Sequence, residues 1–146
     1  MKKSTENEAV FHACINDVPE ICRVVTEAAR ESGMDDKGMW KLELALDEAC
    51  TNIACYGYQN NCEGTIRLHW ECRGDDFYVT IEDEGLPFDQ SEPTDPDFSS
   101  DICQRKAGGL GRYIMRKFLD DLSYQRSDNK NTLILVKKLI NTEDSD

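Results

Sequence analysis

The chain has 146 residues, with 17 Lys and Arg against 29 Asp and Glu, a formal charge of −12, and 39% hydrophobic residues. One domain fits that length, and the apolar share supplies a core, which excludes disorder throughout; a domain of this size buries roughly 68–70% of the surface its unfolded chain exposes. The pI near 4.6 sets a field that repels phosphate backbones and anionic lipid, so unaided nucleic-acid or membrane binding is disfavoured and any nucleotide must be held by local groups.

Residues 8–15 (EAVFHACI) read as an opening strand. Asn16-Asp17 and Pro19 then supply the cap and first turn of a helix in which Ile21, Val24, Val25, Ala28 and Ala29 keep helical spacing until Gly33. A second helical pattern runs from about Lys37 to Tyr58, with Leu42, Leu46, Ala49, Ile53 and Tyr56 on one stripe. From Gly64 the period becomes two: Ile66, Leu68, Trp70 and Cys72 alternate with Thr65, Arg67, His69 and Glu71. A turn at Gly74-Asp75 leads into a partner strand with Phe77, Val79 and Ile81 on one face. The next residue of that parity is Asp83, so a carboxylate continues a core-facing row.

Residues 84–107 show no period and hold three of the four prolines, six acidic residues and two basic ones, which reads as a long loop. After Gly108-Gly109-Leu110-Gly111 the helical spacing returns in Leu110, Ile114, Phe118 and Leu122. An extended segment over 122–126, a polar turn at Ser127–Lys130 and a final strand Thr132–Leu139 follow, and 141–146 read as a frayed tail. This order predicts an α+β domain, helices layered over one face of a mixed, mostly antiparallel sheet.

Seven cysteines are an odd number and none has CxxC spacing, so the sequence predicts reduced, buried or idle thiols in a reducing cytosol, with no secretory signal before them. Cys14 with His12 and Cys72 with His69 each lack the second pair that zinc needs. No run approaches the ~20 apolar residues of a membrane helix.

Glu48 and Asn52 stand four apart on the second helix, on a patch beside the Ala49/Ile53 stripe. A carboxamide oxygen is a hard ligand for Mg²⁺ and a carboxylate can accept a proton, which suits phosphoryl transfer; the bland alternative is a solvated helix face. Burying Asp83 costs several kcal/mol unless donors meet it. An exocyclic amine such as that of adenine is one such donor, Gly85 leaves room for close approach, and the plain alternative is a strand-ending turn. Gly108, Gly109 and Gly111 open a helix whose free N–H groups suit an anion, with Arg105, Lys106 and Arg112 adding positive charge; the spacing matches neither a P-loop nor a dinucleotide fingerprint. His12 and His69 lie in strand patterns away from any nucleophile motif.

Taken in order, ELALDEACTNIACYGY (43–58), IEDEGLPFD (81–89) and GGLGRYIMRKFLDDLSY (108–124) resemble the three nucleotide-site boxes of the GHKL ATPase superfamily. Within it the chain is similar to the stand-alone bacterial serine/threonine kinases that serve as anti-sigma factors in partner switching, over about residues 8–140. The resemblance implies a two-layer α/β sandwich and a single ATP-binding domain across 1–146, with residues 86–107 as the ATP lid. It further implies that Asp83 takes the adenine amine, Gly85 admits the ring, and Gly108, Gly109, Leu110 and Gly111 wrap the phosphates. Lys106 would help neutralise them, Thr132 would support the adenine site, and Asn52 would hold Mg²⁺. Glu48 would be the general base that orients a serine hydroxyl of the antagonist protein. ATP and Mg²⁺ are the implied cofactors. A sigma factor and an anti-anti-sigma antagonist are the implied partners, a cytoplasmic homodimer the implied state, and neither membrane nor nucleic acid is contacted directly.

Arg112, where an apolar residue is expected, and the acidic lid motivate an alternative: a catalytically weak or inactive nucleotide-binding regulatory module that works by sequestering its partner. A histidine kinase fragment is disfavoured, because residues 1–36 are too short for a helical hairpin and His12 lies in a strand pattern.

Overall fold

The computed structural model describes residues 7–87 and 110–140, the side chains of 110–112 excepted. In chain order the elements are β1 (Glu8–His12), a 3-10 turn (Ile15–Asp17), α1 (Val18–Glu31), α2 (Asp36–Asn52), a π turn (Ile53–Gly57), β2 (Thr65–Arg73), β3 (Asp76–Asp83), α3 (Leu110–Phe118), β4 (Asp121–Ser127) and β5 (Lys130–Lys138). The five strands form one sheet in the order β1-β2-β3-β5-β4. Every pairing is antiparallel, so the mixed sheet expected from the sequence is purely antiparallel among the described residues.

Period two does most of the work. Ile66, Leu68 and Trp70 of β2, Phe77, Val79 and Ile81 of β3, and Leu133 and Leu135 of β5 are all buried on the face that meets the helices. Each large side chain taken out of water there contributes roughly 1.5–3 kcal/mol. Cross-strand register stacks them in rows, Trp70 opposite Val79 and Val79 opposite Leu135. α2 packs between α1 and α3, and that central place explains why it buries Leu42, Ala45, Leu46, Glu48, Ala49, Cys50 and Thr51 rather than a single narrow stripe. Asp35 caps its start, the carboxylate accepting the Gly38 N–H at 2.8 Å. The β4–β5 hairpin turns through Asp128 and Asn129, both left-handed at φ 54° and 64°, as a tight primed turn requires.

Three boundaries differ from the periodic reading. The opening strand ends at His12 rather than continuing to residue 15. The second helix is α-helical only to Asn52; Ile53–Gly57 then widen into a π turn, closed by the Tyr58 N–H on the Ile53 carbonyl five residues back at 2.9 Å. The third helix ends at Phe118, and Leu122 belongs to β4. Asp120 leaves the helical path because β5 holds it: its N–H donates to the Val136 carbonyl, and its carboxylate accepts the Lys138 N–H at 2.8 Å.

The cysteines also depart from expectation. Cys14 and Cys62 form a disulfide across a sequence separation of 48, and Cys55 is disulfide-bonded as well. Spacing along the chain gave no sign of the first bridge because tertiary pairing makes it: the Ala13 N–H donates to the Gly64 carbonyl at 2.9 Å and draws the two loops together. Cys22 and Cys50 stay as buried thiols and Cys72 as an exposed one. Burial pushes the Cys22 thiol up to about 12, with Asp47 and Glu43 adding to the shift, so it stays protonated and unreactive at neutral pH.

Candidate functional site

Asp83 ends β3 on the core-facing row and is 6% exposed. Two donors meet its Oδ1: the Gly85 N–H at 2.8 Å and the Asn131 Nδ2 at 2.9 Å. Burial pushes its carboxyl above the usual carboxylate range, while Asn131, the Gly85 N–H and the positive Arg126 pull the other way. Among the described residues both of these bonds fall on Oδ1, so the other carboxylate oxygen is the one placed to take an outside donor.

The loop after Asp83 is fixed from three directions. From β5, Asn131 Nδ2 also donates to the carbonyls of Gly85 at 3.2 Å and Leu86 at 3.0 Å. From β4, Arg126 Nη1 donates to the Gly85 carbonyl at 3.0 Å. From the segment after α2, the Tyr58 hydroxyl accepts the Glu84 N–H at 2.7 Å and donates to the Thr65 carbonyl at 3.1 Å, while the Leu86 N–H donates to the Gly57 carbonyl at 2.8 Å. Gly85 is required by this packing: a Cβ there would stand 2.5 Å from the Gly57 carbonyl oxygen. The neighbour that makes this position glycine is thus the π turn itself, not only the ligand anticipated from the sequence.

The π turn is what brings α2 to this loop. Gly57 lies against Asp83, so close that a Cβ on it would be 3.8 Å from Asp83 Oδ1, and Asn52 is the last α-helical residue before the turn begins. Asn52 is half-buried, whereas Glu48, one helical turn earlier, is 8% exposed. The solvated-face alternative for Glu48 therefore fails. A carboxylate shielded from bulk water beside a half-open carboxamide is an arrangement that can accept a proton while a hard cation is held nearby.

The last strand brings to Asp83 a residue other than the Thr132 that the resemblance gives to the adenine site. Register pairs Asp83 with Asn131 and places Thr132 opposite Glu82, and alternation turns Thr132 to the other face of the sheet. Asn131, not Thr132, supports the carboxylate. Asn131, Arg126, Tyr124 and Tyr58 are the site residues that motif reasoning missed. The signal for Asn131 was present, since it continues the buried row of Leu133 and Leu135 just as Asp83 continues that of Val79 and Ile81. Of the glycine-rich segment, Leu110 and Gly111 open α3, while Lys106, Gly108, Gly109 and nearly all of the 86–107 lid lie outside the described residues.

Known proteins align with this arrangement. The family model for the histidine kinase-like ATPase domain matches residues 11–137. The Anti-sigma F factor of Bacillus subtilis (strain 168) is 33% identical over 99 residues, 67% of each chain. The Anti-sigma F factor of Clostridium kluyveri is 26% identical over 101 residues, 69% of this chain and 70% of that one. Among solved structures, the RsbU and RsbW domains of a Mycobacterium tuberculosis protein superpose with a TM-score of 0.63 at 16% identity over 90% of this chain; this chain spans about a third (32%) of that one. The catalytic domain of the histidine kinase ThkA gives 0.51 at 14% identity, covering 90% of this chain and 95% of that one. With its Asp83 row, its glycine-dependent turn and its antiparallel sheet under helices, this chain belongs to the family of histidine kinase-like ATPase domains.

Proposed function

We propose that this chain is an ATP- and Mg²⁺-dependent protein serine kinase that acts as an anti-sigma factor: it phosphorylates an anti-anti-sigma antagonist and, when not so engaged, sequesters a sigma factor. The observation that carries the reading is Glu48, a carboxylate buried on the helix that leads through the π turn to the Asp83 loop. The likeness to two Anti-sigma F factors supports the regulatory half. In this reading the protein acts in the cytoplasm as a homodimer, without membrane or direct nucleic-acid contact.

In this reading Asp83 accepts the exocyclic amine of adenine and Gly85 lies beside the ring. Gly108, Gly109, Leu110 and Gly111 surround the phosphates, with Lys106 contributing charge. Mg²⁺, when bound, would neutralise phosphate charge, and the Asn52 amide oxygen is the hard ligand this chain would offer it. Glu48 accepts the proton of the antagonist's serine hydroxyl as that oxygen attacks the γ-phosphorus and the bond to the β-phosphate oxygen breaks, leaving phosphoserine and ADP. Little covalent work falls to the protein, so positioning and electrostatics supply the rate.

The test is transfer of label from γ-labelled ATP to the antagonist by the wild-type chain and by Glu48→Gln. Loss of a general base lowers the rate by about 10²–10⁴-fold while ATP binding persists. Equal transfer by both proteins would remove Glu48 from the chemistry. ATP binding without transfer by either would leave the weak or inactive sequestering module.

A further inference from the structure

Asn131 has a defined polarity, because its two ends meet opposite kinds of neighbour. Its Oδ1 accepts from Arg126 Nη1 at 2.9 Å and from the Tyr124 hydroxyl at 2.6 Å. Its Nδ2 faces three acceptors only: Asp83 Oδ1, the Gly85 carbonyl and the Leu86 carbonyl. Rotating the carboxamide by half a turn would set a carbonyl against three oxygens and an amine against a guanidinium, so the network permits one orientation. Arg126 is the origin of that order. A guanidinium only donates and does not lose its proton in a protein, so the chain of hydrogen bonds runs one way, from Arg126 through Asn131 to Asp83.

We infer that Arg126 and Asn131 are positioning residues for base selection: together they hold Asp83 as an obligate acceptor, so that the site takes a purine bearing a 6-amino group and rejects one bearing a 6-oxo group. The inference rests on the adenine-nucleotide reading above and adds to it residues from the β4–β5 hairpin. With both donors engaged on Oδ1, an ionised Asp83 offers its other oxygen to an amine. A protonated Asp83 would instead present an O–H, which matches a 6-oxo group. Burial favours that protonated form, and the relay opposes it. The charged or titratable groups around Asp83 are Arg126 from β4, Tyr58 from the segment after the π turn, Glu84 beside it and Cys50 from α2. Of these only Arg126 is positive, which singles out β4 as the source of the bias.

The test titrates the full chain, with Mg²⁺, with ATP and with ITP, which differ at position 6, amino against oxo, and in the N1 proton that accompanies the oxo group, between about pH 5.5 and 8, a range in which an ordinary Asp stays ionised. Wild type favours ATP across the range. Asn131→Leu keeps the shape and removes both ends of the relay; the ATP-to-ITP preference falls by about tenfold, the value of one well-placed hydrogen bond, and falls further on acidification as Asp83 protonates. Arg126 is exposed, so Arg126→Met folds even where Asn131→Leu does not; it lowers the preference by about threefold, and Arg126→Lys restores it. A purely structural role would weaken ATP and ITP together and leave their ratio flat with pH, and that result in both variants overturns the relay. Equal binding of the two nucleotides by wild type overturns it as well while the nucleotide reading survives, whereas binding of neither sinks the nucleotide reading and the relay with it.

Discussion

β3 and β5, the paired strands at the middle of the sheet, bury a charged residue at each end of their common core-facing row, and the two ends are finished in opposite ways. At one end Lys137, 5% exposed, meets Asp120 at 3.3 Å, and Asp120 also accepts the Lys138 N–H. That charge is closed: its partner is a carboxylate of the same molecule. At the other end Asp83, 6% exposed, receives a backbone N–H and a carboxamide among the described residues, with Arg126 one step removed. Both ends answer the cost of burying a charge. Only the second keeps a carboxylate oxygen in hand for something else, and the comparison teaches that a binding site can be recognised by how a buried charge is compensated as well as by its being buried.

Breaking the closed end has the larger effect on the fold. Asp120→Ala strands the Lys137 ammonium in the core and removes the acceptor of the Lys138 N–H. Because Asp120 is itself one-third exposed, the loss is about 2–3 kcal/mol, below the range for a fully buried pair. Chemical denaturation reads it, and nucleotide affinity stays as in wild type.

The open end behaves in reverse. Asp83→Asn removes the charged acceptor and lowers ATP affinity by about 30-fold, the ~2 kcal/mol of a charge-assisted hydrogen bond, with little change in stability, as calorimetric titration and thermal unfolding will show together. The pH dependence carries the sign of the shift. A carboxyl held above its unfolded value makes the protonated form the better folded one, so wild type loses stability as pH rises from the unfolded value through the raised one. ATP binding runs the other way, weakening as pH falls through that raised value. In Asp83→Asn both dependences flatten.

The smallest effect sharpens the comparison without removing either charge. Tyr58→Phe keeps the ring against Gly64 and deletes the acceptor of the Glu84 N–H, costing about 1 kcal/mol of stability. ATP affinity drops by severalfold as the loop after Asp83 loosens. Unchanged affinity in a folded Tyr58→Phe protein would show that the hairpin side alone holds the loop.

Much of this was legible in the sequence where a period could be counted. The strand alternation led directly to Asp83, and the same count along β5 leads to Asn131, which the family resemblance passed over in favour of its neighbour Thr132. Glu48 was legible as a residue type but not as a buried one. Its angle from the Ala49/Ile53 stripe puts it beside a narrow interface, and only the packing of α2 between α1 and α3 widens that interface to cover it. Arg126 and Tyr58 were beyond the reach of pattern counting. Arg126 acts across a hairpin and Tyr58 through contacts with residues 84 and 65, and neither obeys a period. The Cys14–Cys62 bridge was hidden for the same reason, since strand pairing and not spacing makes the two thiols neighbours.

That bridge divides the site in a way that geometry alone does not suggest. When it is formed, the chain from Cys14 to Cys62 is a closed covalent loop, and α1, α2, Glu48 and Asn52 all lie within it. Asp83, Arg126 and Asn131 come later in the chain, and Cys55, inside the loop, carries a second bridge. In a chain-entropy account, closing a loop of this length removes about 4 kcal/mol of freedom from the unfolded state, and the Cys14–Cys62 bridge places that restriction on the segment bearing Glu48 and Asn52. A reducing environment thus withdraws stabilisation from that segment, so the thiol–disulfide state of Cys14 and Cys62 is linked to the half of the site that carries Glu48 and Asn52.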